Sequence, residues 1–130
     1  MNLAILILLL TSPQFTAGNL LLSMSMPAAL IPVTVKVDFG PAGKPSVQKE
    51  FTIKDHSTPK EALSKVLPIE EGAICCHPAE VKAIDGVSGD PMKNRWWRLK
   101  INGSEKKASP HKSHLKAGDV VEWIYFEDRQ

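Results

Sequence analysis

A mixed β-sheet laid across one helix, an α+β fold, is what the 130-residue sequence predicts. Three observations carry that prediction. Val33, Val35, Val37 and Phe39 alternate with Thr34, Lys36 and Asp38, the period of a strand with one buried face. Thr58-Pro59-Lys60-Glu61 has the chemistry of a helix start. Val120 to Phe126 is apolar apart from Glu122, as expected of a strand buried on both faces inside a sheet.

Taken in order, the first strand stops at Gly40-Pro41-Ala42-Gly43-Lys44-Pro45. A second run, Val47 to Ile53, sets Phe51 and Ile53 on one face against Glu50, Thr52 and Lys54, and the short loop between the runs makes a hairpin. At the helix start, the Thr58 hydroxyl can accept from the amide three residues on, and Glu61 can reach back to the Thr58 amide. Pro59 loses nothing there, because the first helical amide has no intrahelical partner. Ala62, Leu63, Val66 and Leu67 then form one apolar stripe, and Pro68 ends the helix near Leu67.

Glu70 to Pro78 carries mixed signals. Val81 to Asp85 reads as a short strand closed by Gly86, and Ser88-Gly89-Asp90-Pro91 as a loop. In the strand Trp96 to Ile101, Trp97, Leu99 and Ile101 face one way and Trp96, Arg98 and Lys100 the other. Asn102-Gly103 is a tight turn. Ser104 to Lys116 reads as a polar connection, and Ala117-Gly118-Asp119 turns the chain into its last strand. The order β-β-α-β-β-β describes a β-grasp (ubiquitin-like) fold, with a mixed sheet of about five strands packed on one main helix. The hydrophobic final strand would lie centrally beside the first.

Composition narrows the function classes. Apolar residues make up 43% and charged residues 23%, which is ordinary for a globular chain. A net charge of +2 from 16 basic and 14 acidic residues is no concentrated basic surface, so nucleic acid is not the expected partner. No charged side chain precedes Lys36, and Leu3 to Leu10 is an unbroken apolar run. It falls well short of the roughly 20 apolar residues that span a bilayer, and no transmembrane helix is expected. The run has the length of a signal-peptide core, with Thr16-Ala17-Gly18 as a cleavage triplet. A second reading starts translation at Met24 or Met26. The first implies export and the second the cytoplasm. On both, residues 1–26 stand outside the fold and residues 33–127 form a single domain.

Three stretches carry a resemblance: Ile84-Asp85-Gly86-Val87, Trp96-Trp97 with Asn102-Gly103, and Leu115-Lys116-Ala117-Gly118-Asp119-Val120-Val121-Glu122-Trp123. In order and spacing they resemble the domain that forms the C-terminal part of transcobalamin and intrinsic factor, over about residues 33–127. The resemblance implies a β-grasp fold and a non-catalytic binding module. It implies cobalamin by analogy alone, and no individual ligand residue transfers. Ubiquitin-like sulfur carriers share a Gly-Asp before the last strand but end in Gly-Gly, unlike Phe126-Glu127-Asp128-Arg129-Gln130 here.

Two constellations could carry chemistry. Trp96, Arg98 and Lys100, with Lys93 and Arg95 just before, would form an aromatic platform flanked by cations if their face is open. Such a face suits an unidentified protein or small-molecule ligand. Trp97 and Trp123 read instead as core. The alternative is Cys75-Cys76-His77, which could bind a soft metal or engage in thiol redox chemistry. A four-ligand site would need His56, His111 or His114 as well, and adjacent cysteines on an extended chain point to opposite faces. One buried thiol acting as an apolar filler is the plainer account. No nucleophile motif, phosphate-binding glycine loop or paired carboxylate is evident, so no enzyme and no cofactor are expected.

Overall fold

The computed structural model describes residues 29–72, 81–105 and 108–129. Strands dominate. They are β1 (Leu30–Asp38), β2 (Val47–Lys54), β3 (Ile69–Glu71), β4 (Val81–Ile84), β5 (Val87–Ser88), β6 (Arg95–Ile101) and β7 (Val120–Glu127), with one helix, α1 (Pro59–Ser64). They form two sheets rather than one of five strands: a four-stranded sheet ordered β2-β1-β7-β6 and a three-stranded sheet ordered β3-β4-β5. β1 runs antiparallel to β2 and parallel to β7, and β6 is antiparallel to β7. The last strand is therefore interior, as its composition predicts.

β1 begins at Leu30, upstream of the expected boundary at Val33. Pro32 interrupts the sequence pattern without interrupting the strand. Asp55 N donates to Ala29 O, so odd-numbered residues of β1 bond to β2 and the absent Pro32 amide faces the other way. On that side Pro32 supplies only its carbonyl, which accepts from Gly118 N at 2.8 Å.

The capping box forms as read. Thr58 Oγ1 accepts from Glu61 N at 3.2 Å, and Glu61 Oε1 accepts from Thr58 N at 3.4 Å. The helix is shorter than expected, however, and ends at Ser64. Pro68 disfavours helical geometry in the residue before it, and the chain leaves through tighter turns, with Val66 N bonding Leu63 O. Pro59, Ala62 and Leu63 are buried, whereas Val66 and Leu67 are half-buried against the core.

The core lies between the four-stranded sheet, the small sheet and α1. Val33, Val35 and Val37 of β1 meet Val121 and Trp123 of β7, Val81 and Ile84 of β4, and Leu63. Leu115 joins them at 1% exposed, although it sits in what reads as a polar connection. Its amide donates to Ser57 O, and Lys60 N donates to Pro110 O, which ties that connection to the start of α1. Two side-chain bonds pin the small sheet to the large one: Trp97 Nε1 to Val87 O at 2.8 Å and the Tyr125 hydroxyl to Ser88 O at 2.9 Å. β7 is not buried on both faces. Val121, Trp123 and Tyr125 are buried, but Val120, Glu122, Ile124 and Phe126 are only half covered. Among the described residues, the packed layers all lie on one side of the sheet.

Gly40 opens the loop after β1 with φ +42, and a Cβ there would collide with the Tyr125 carbonyl. Gly43 is also left-handed, at φ +78, but faces open space. Gly43→Ala should therefore lose about 1–2 kcal/mol, the cost of left-handed backbone for an L-residue. Gly40→Ala adds a steric clash to that strain and should lose clearly more. Urea denaturation of both variants checks the order; equal losses would refute the close approach.

Candidate functional site

Pairing with β7 sorts the side chains of β6. Trp96 stands opposite Phe126, Arg98 opposite Ile124 and Lys100 opposite Glu122. All of these are half-covered and alternate with the buried residues of β7, so they share the sheet face turned away from the core. β1 extends that face with Thr34 and Lys36, opposite Val120 and Glu122. The sequence prediction that Trp96, Arg98 and Lys100 share a face holds, and the structure turns that face outward.

Local structure positions each group. Asp90 caps the 3-10 turn Pro91–Lys93, and Asn94 leaves it in the left-handed conformation, φ 56. Asn94 then links two chain segments. Its Oδ1 accepts from Trp96 Nε1 at 3.0 Å, and its Nδ2 donates to Asp128 O at 2.7 Å. The indole is thereby steered, with its N–H satisfied. The Arg98 guanidinium lies 4.0 Å from the centroid of the Phe126 ring. Its Nε bonds Glu105 Oε1 at 2.6 Å. An exposed cation–π contact contributes about 0.5–1 kcal/mol. A half-exposed ion pair adds about 0–1 kcal/mol. At those magnitudes the two contacts orient Arg98 more than they stabilise the fold.

The resulting corner has two aromatic rings, Trp96 and Phe126, an apolar floor at Ile124, and cations at Arg98 and Lys100. Two carboxylates meet these cations: Glu105, bonded to Arg98, and Glu122, between Lys36 and Lys100 in register. Farther across the same sheet, a shallow groove includes Pro32, Thr34, Glu50, Thr52 and Gly118 in its lining. Chemically, such a face can stack a flat or apolar group on the aromatics while pairing an anionic group with the cations.

Arg95 does not join this corner. Odd-numbered positions of β6 face the other side, and Arg95 Nε bonds its register partner Glu127 at 3.1 Å. Arg129 Nε adds a second bond to Glu127 at 3.2 Å. The hydrogen bond from Arg95, then that from Arg129, holds the Glu127 carboxyl below the usual carboxylate range. Burial pushes the Tyr125 phenol up, against the opposing pull of Arg95, so the hydroxyl stays protonated and donates to Ser88 O.

Trp123 is buried, as expected of a core residue, and Trp97 packs on the core while remaining half-buried. Phe126 and Ile124 were missed as members of the outer face. Their even numbering in β7 was a usable signal, but their placement beside Trp96 and Arg98 depends on the β6–β7 register. Cys75, Cys76 and His77 lie outside the described residues. The histidines considered as extra ligands are partly brought together: the rings of His56 and His114 meet edge-on at 5.8 Å. His111 lies beside Ser109, with Nδ1 3.4 Å from Oγ. Among the described residues, no three His, Cys, Asp or Glu side chains converge as a metal site would require, and no helix is long and apolar enough to cross a membrane.

The sequence profile of a domain of unknown function, DUF4430, matches residues 79–127. No curated protein matches the chain. Solved structures that resemble it in fold include two of different kinds. One is haptocorrin in complex with Cbi, at 13% identity and a TM-score of 0.61, covering 79% of this chain and 26% of that one. The chain thus spans about a quarter of haptocorrin's length. The other is a proposed metal-binding protein from Ruminococcus gnavus ATCC 29149, at 20% identity and a TM-score of 0.54, covering 76% of this chain and 99% of that one.

The Arg95–Glu127 pair carries a pH dependence of known sign. A carboxyl whose folded pKa is lowered stabilises the fold above its unfolded pKa, and that contribution fades as pH falls through the folded value. A carbon-detected NMR titration should place the Glu127 midpoint below the ordinary glutamate value of about 4.3. Arg95→Gln should move it upward. A midpoint that is ordinary from the start would show that the pair does not form in solution.

Proposed function

We propose that the chain is a non-catalytic β-grasp module that binds a protein segment or small ligand on the open face of its four-stranded sheet. Trp96, Arg98 and Lys100 are the contact residues, with Phe126 and Ile124 as the apolar floor. The observation that carries this reading is the stack of Arg98 on Phe126 beside Trp96, on a face that no packed layer of the described residues covers. Large aromatics and arginine are the side chains that most often dominate binding energy. Both are held here by neighbours before any ligand arrives.

The β-grasp assignment rests on topology. The β1–β2 hairpin is followed by α1, and β7 returns to lie between β1 and β6. The likeness in fold to haptocorrin supports it. Arg95 steadies the end of β6 through Glu127 instead of contacting a ligand. Cobalamin enters through the family resemblance alone, and the residues of the face give it no specific support. The charge of the corner favours a ligand that combines an anionic group with a flat or apolar one.

A displayed library of acidic, aromatic-containing peptides selected on the full chain tests the reading. Selected peptides should shift the amide resonances of residues 95–101 and 120–127. The double variant Trp96→Ala/Arg98→Ala should lose at least about tenfold in affinity, equivalent to roughly 1.4 kcal/mol. Its urea unfolding midpoint should stay near that of the parent chain. Binding that survives the double substitution, or maps to other strands, would overturn the assignment.

A further inference from the structure

An open sheet ends in two edge strands, and this one finishes its edges differently. Asn102 N bonds Val120 O across the β6–β7 register, so the odd-numbered residues of β6 point their backbone groups outward. Arg95 exchanges both its bonds with Asp90, and Ile101 exchanges both with Ser104. Turns therefore close that edge at each end. Among the described residues, β2 has no such closure. Odd residues of β2 bond to β1, which leaves the backbone groups of Gln48, Glu50, Thr52 and Lys54 pointing away from the sheet. Among the described residues, Ser57 N on the Lys54 carbonyl is the one backbone bond made along that edge. A long edge of unpaired amides and carbonyls is a template for another strand.

The side chains of β2 select the strand that fits. A second copy related by a two-fold axis perpendicular to the sheet would pair antiparallel, even positions against even and odd against odd. Centring that axis on Thr52 sets Glu50 opposite Lys54 and Lys49 opposite Asp55, with Phe51 opposite Ile53. Shifting the centre to Glu50 brings two glutamates together. Centring it on Phe51 or Ile53 makes no opposite-charge pair across the strands. The lysines that guard many natural edges against pairing thus each meet an acid in one register. In the same register, Phe51, half-buried in the single chain, gains an apolar neighbour.

We propose that β2 is a self-association edge: two copies of this chain join antiparallel through β2, centred on Thr52, into one continuous sheet. β2 and β6 are opposite edges of the sheet, so this assembly and ligand binding at Trp96 and Arg98 can fail independently. Glu50 and Lys54 would pair on the open face, and Phe51 and Ile53 on the core face.

Sedimentation velocity on the full chain over a concentration series reads the assembly, and amide hydrogen exchange locates it. The parent chain should be a reversible dimer in which the amides of Glu50, Thr52 and Lys54 gain protection as concentration rises. Thr52→Pro removes an amide that β1 does not use, so it should leave a folded monomer. Glu50→Lys places like charges opposite each other twice and should weaken the dimer at least about tenfold. The exchange Glu50→Lys/Lys54→Glu should restore it, which also keeps the register testable if the proline variant misfolds. A chain that is monomeric throughout overturns the proposal. So does a dimer indifferent to Glu50→Lys, or one that the charge exchange fails to restore.

Discussion

Parallel pairing of β1 with β7 is the constraint around which the molecule is organised. Antiparallel neighbours can be joined by a two-residue turn, but parallel ones need a crossover long enough to carry the chain back to its starting end. Everything from Gly40 to Asp119 serves as that crossover, and much of it has to cover the apolar face that the pairing creates. Val33, Val35 and Val37 on one strand and Val121 and Trp123 on the other make that face continuous. The helix, the small sheet and Leu115 then pack onto it. Trp123 shows what the arrangement gives up. Its indole N–H is buried without a partner among the described residues, an omission that costs about 1–3 kcal/mol.

The turns within the stretches that carry the family resemblance are structural devices. Asp85-Gly86 joins β4 to β5 with both residues at positive φ, and Asn102-Gly103 does the same between Ile101 and Ser104. Both are tight turns whose twist matches the strands they connect. Asn102 also bonds Asp119 and the Val120 amide, which locks the end of β6 to the start of β7. Leu115 is core, and Gly118 turns the chain at φ +85 so that its amide reaches Pro32. A motif built from such residues specifies a shape. What that shape leaves uncovered among the described residues is the outer sheet face and the β2 edge.

That division explains what was readable in advance. The hairpin, the capped helix start and β6 were legible, because each depends on residues close together in the chain, and the interior position of β7 was legible from its apolar composition. The small sheet was half legible. β4 shows in its apolar run, but Ile69 to Glu71 and Val87-Ser88 are too short to carry a period. The length of α1 was overestimated because Val66 and Leu67 continue the apolar stripe. Pro68 and the return toward β3 stop the helix before the stripe ends. At the candidate site, the alternation of Trp96, Arg98 and Lys100 was plain, while the inclusion of Phe126 and the departure of Arg95 were not.

Local physics written in the sequence thus determined which segments extend, where the helix starts, which turns are tight and which side chains of one strand share a face. Tertiary structure alone decided that the strands divide into two sheets. It also decided that, among the described residues, one side of the large sheet is packed and β2 forms an edge, and that Arg98 stacks on Phe126. Each of these depends on the register between segments far apart in the chain. Period and composition within a segment carry no information about that register.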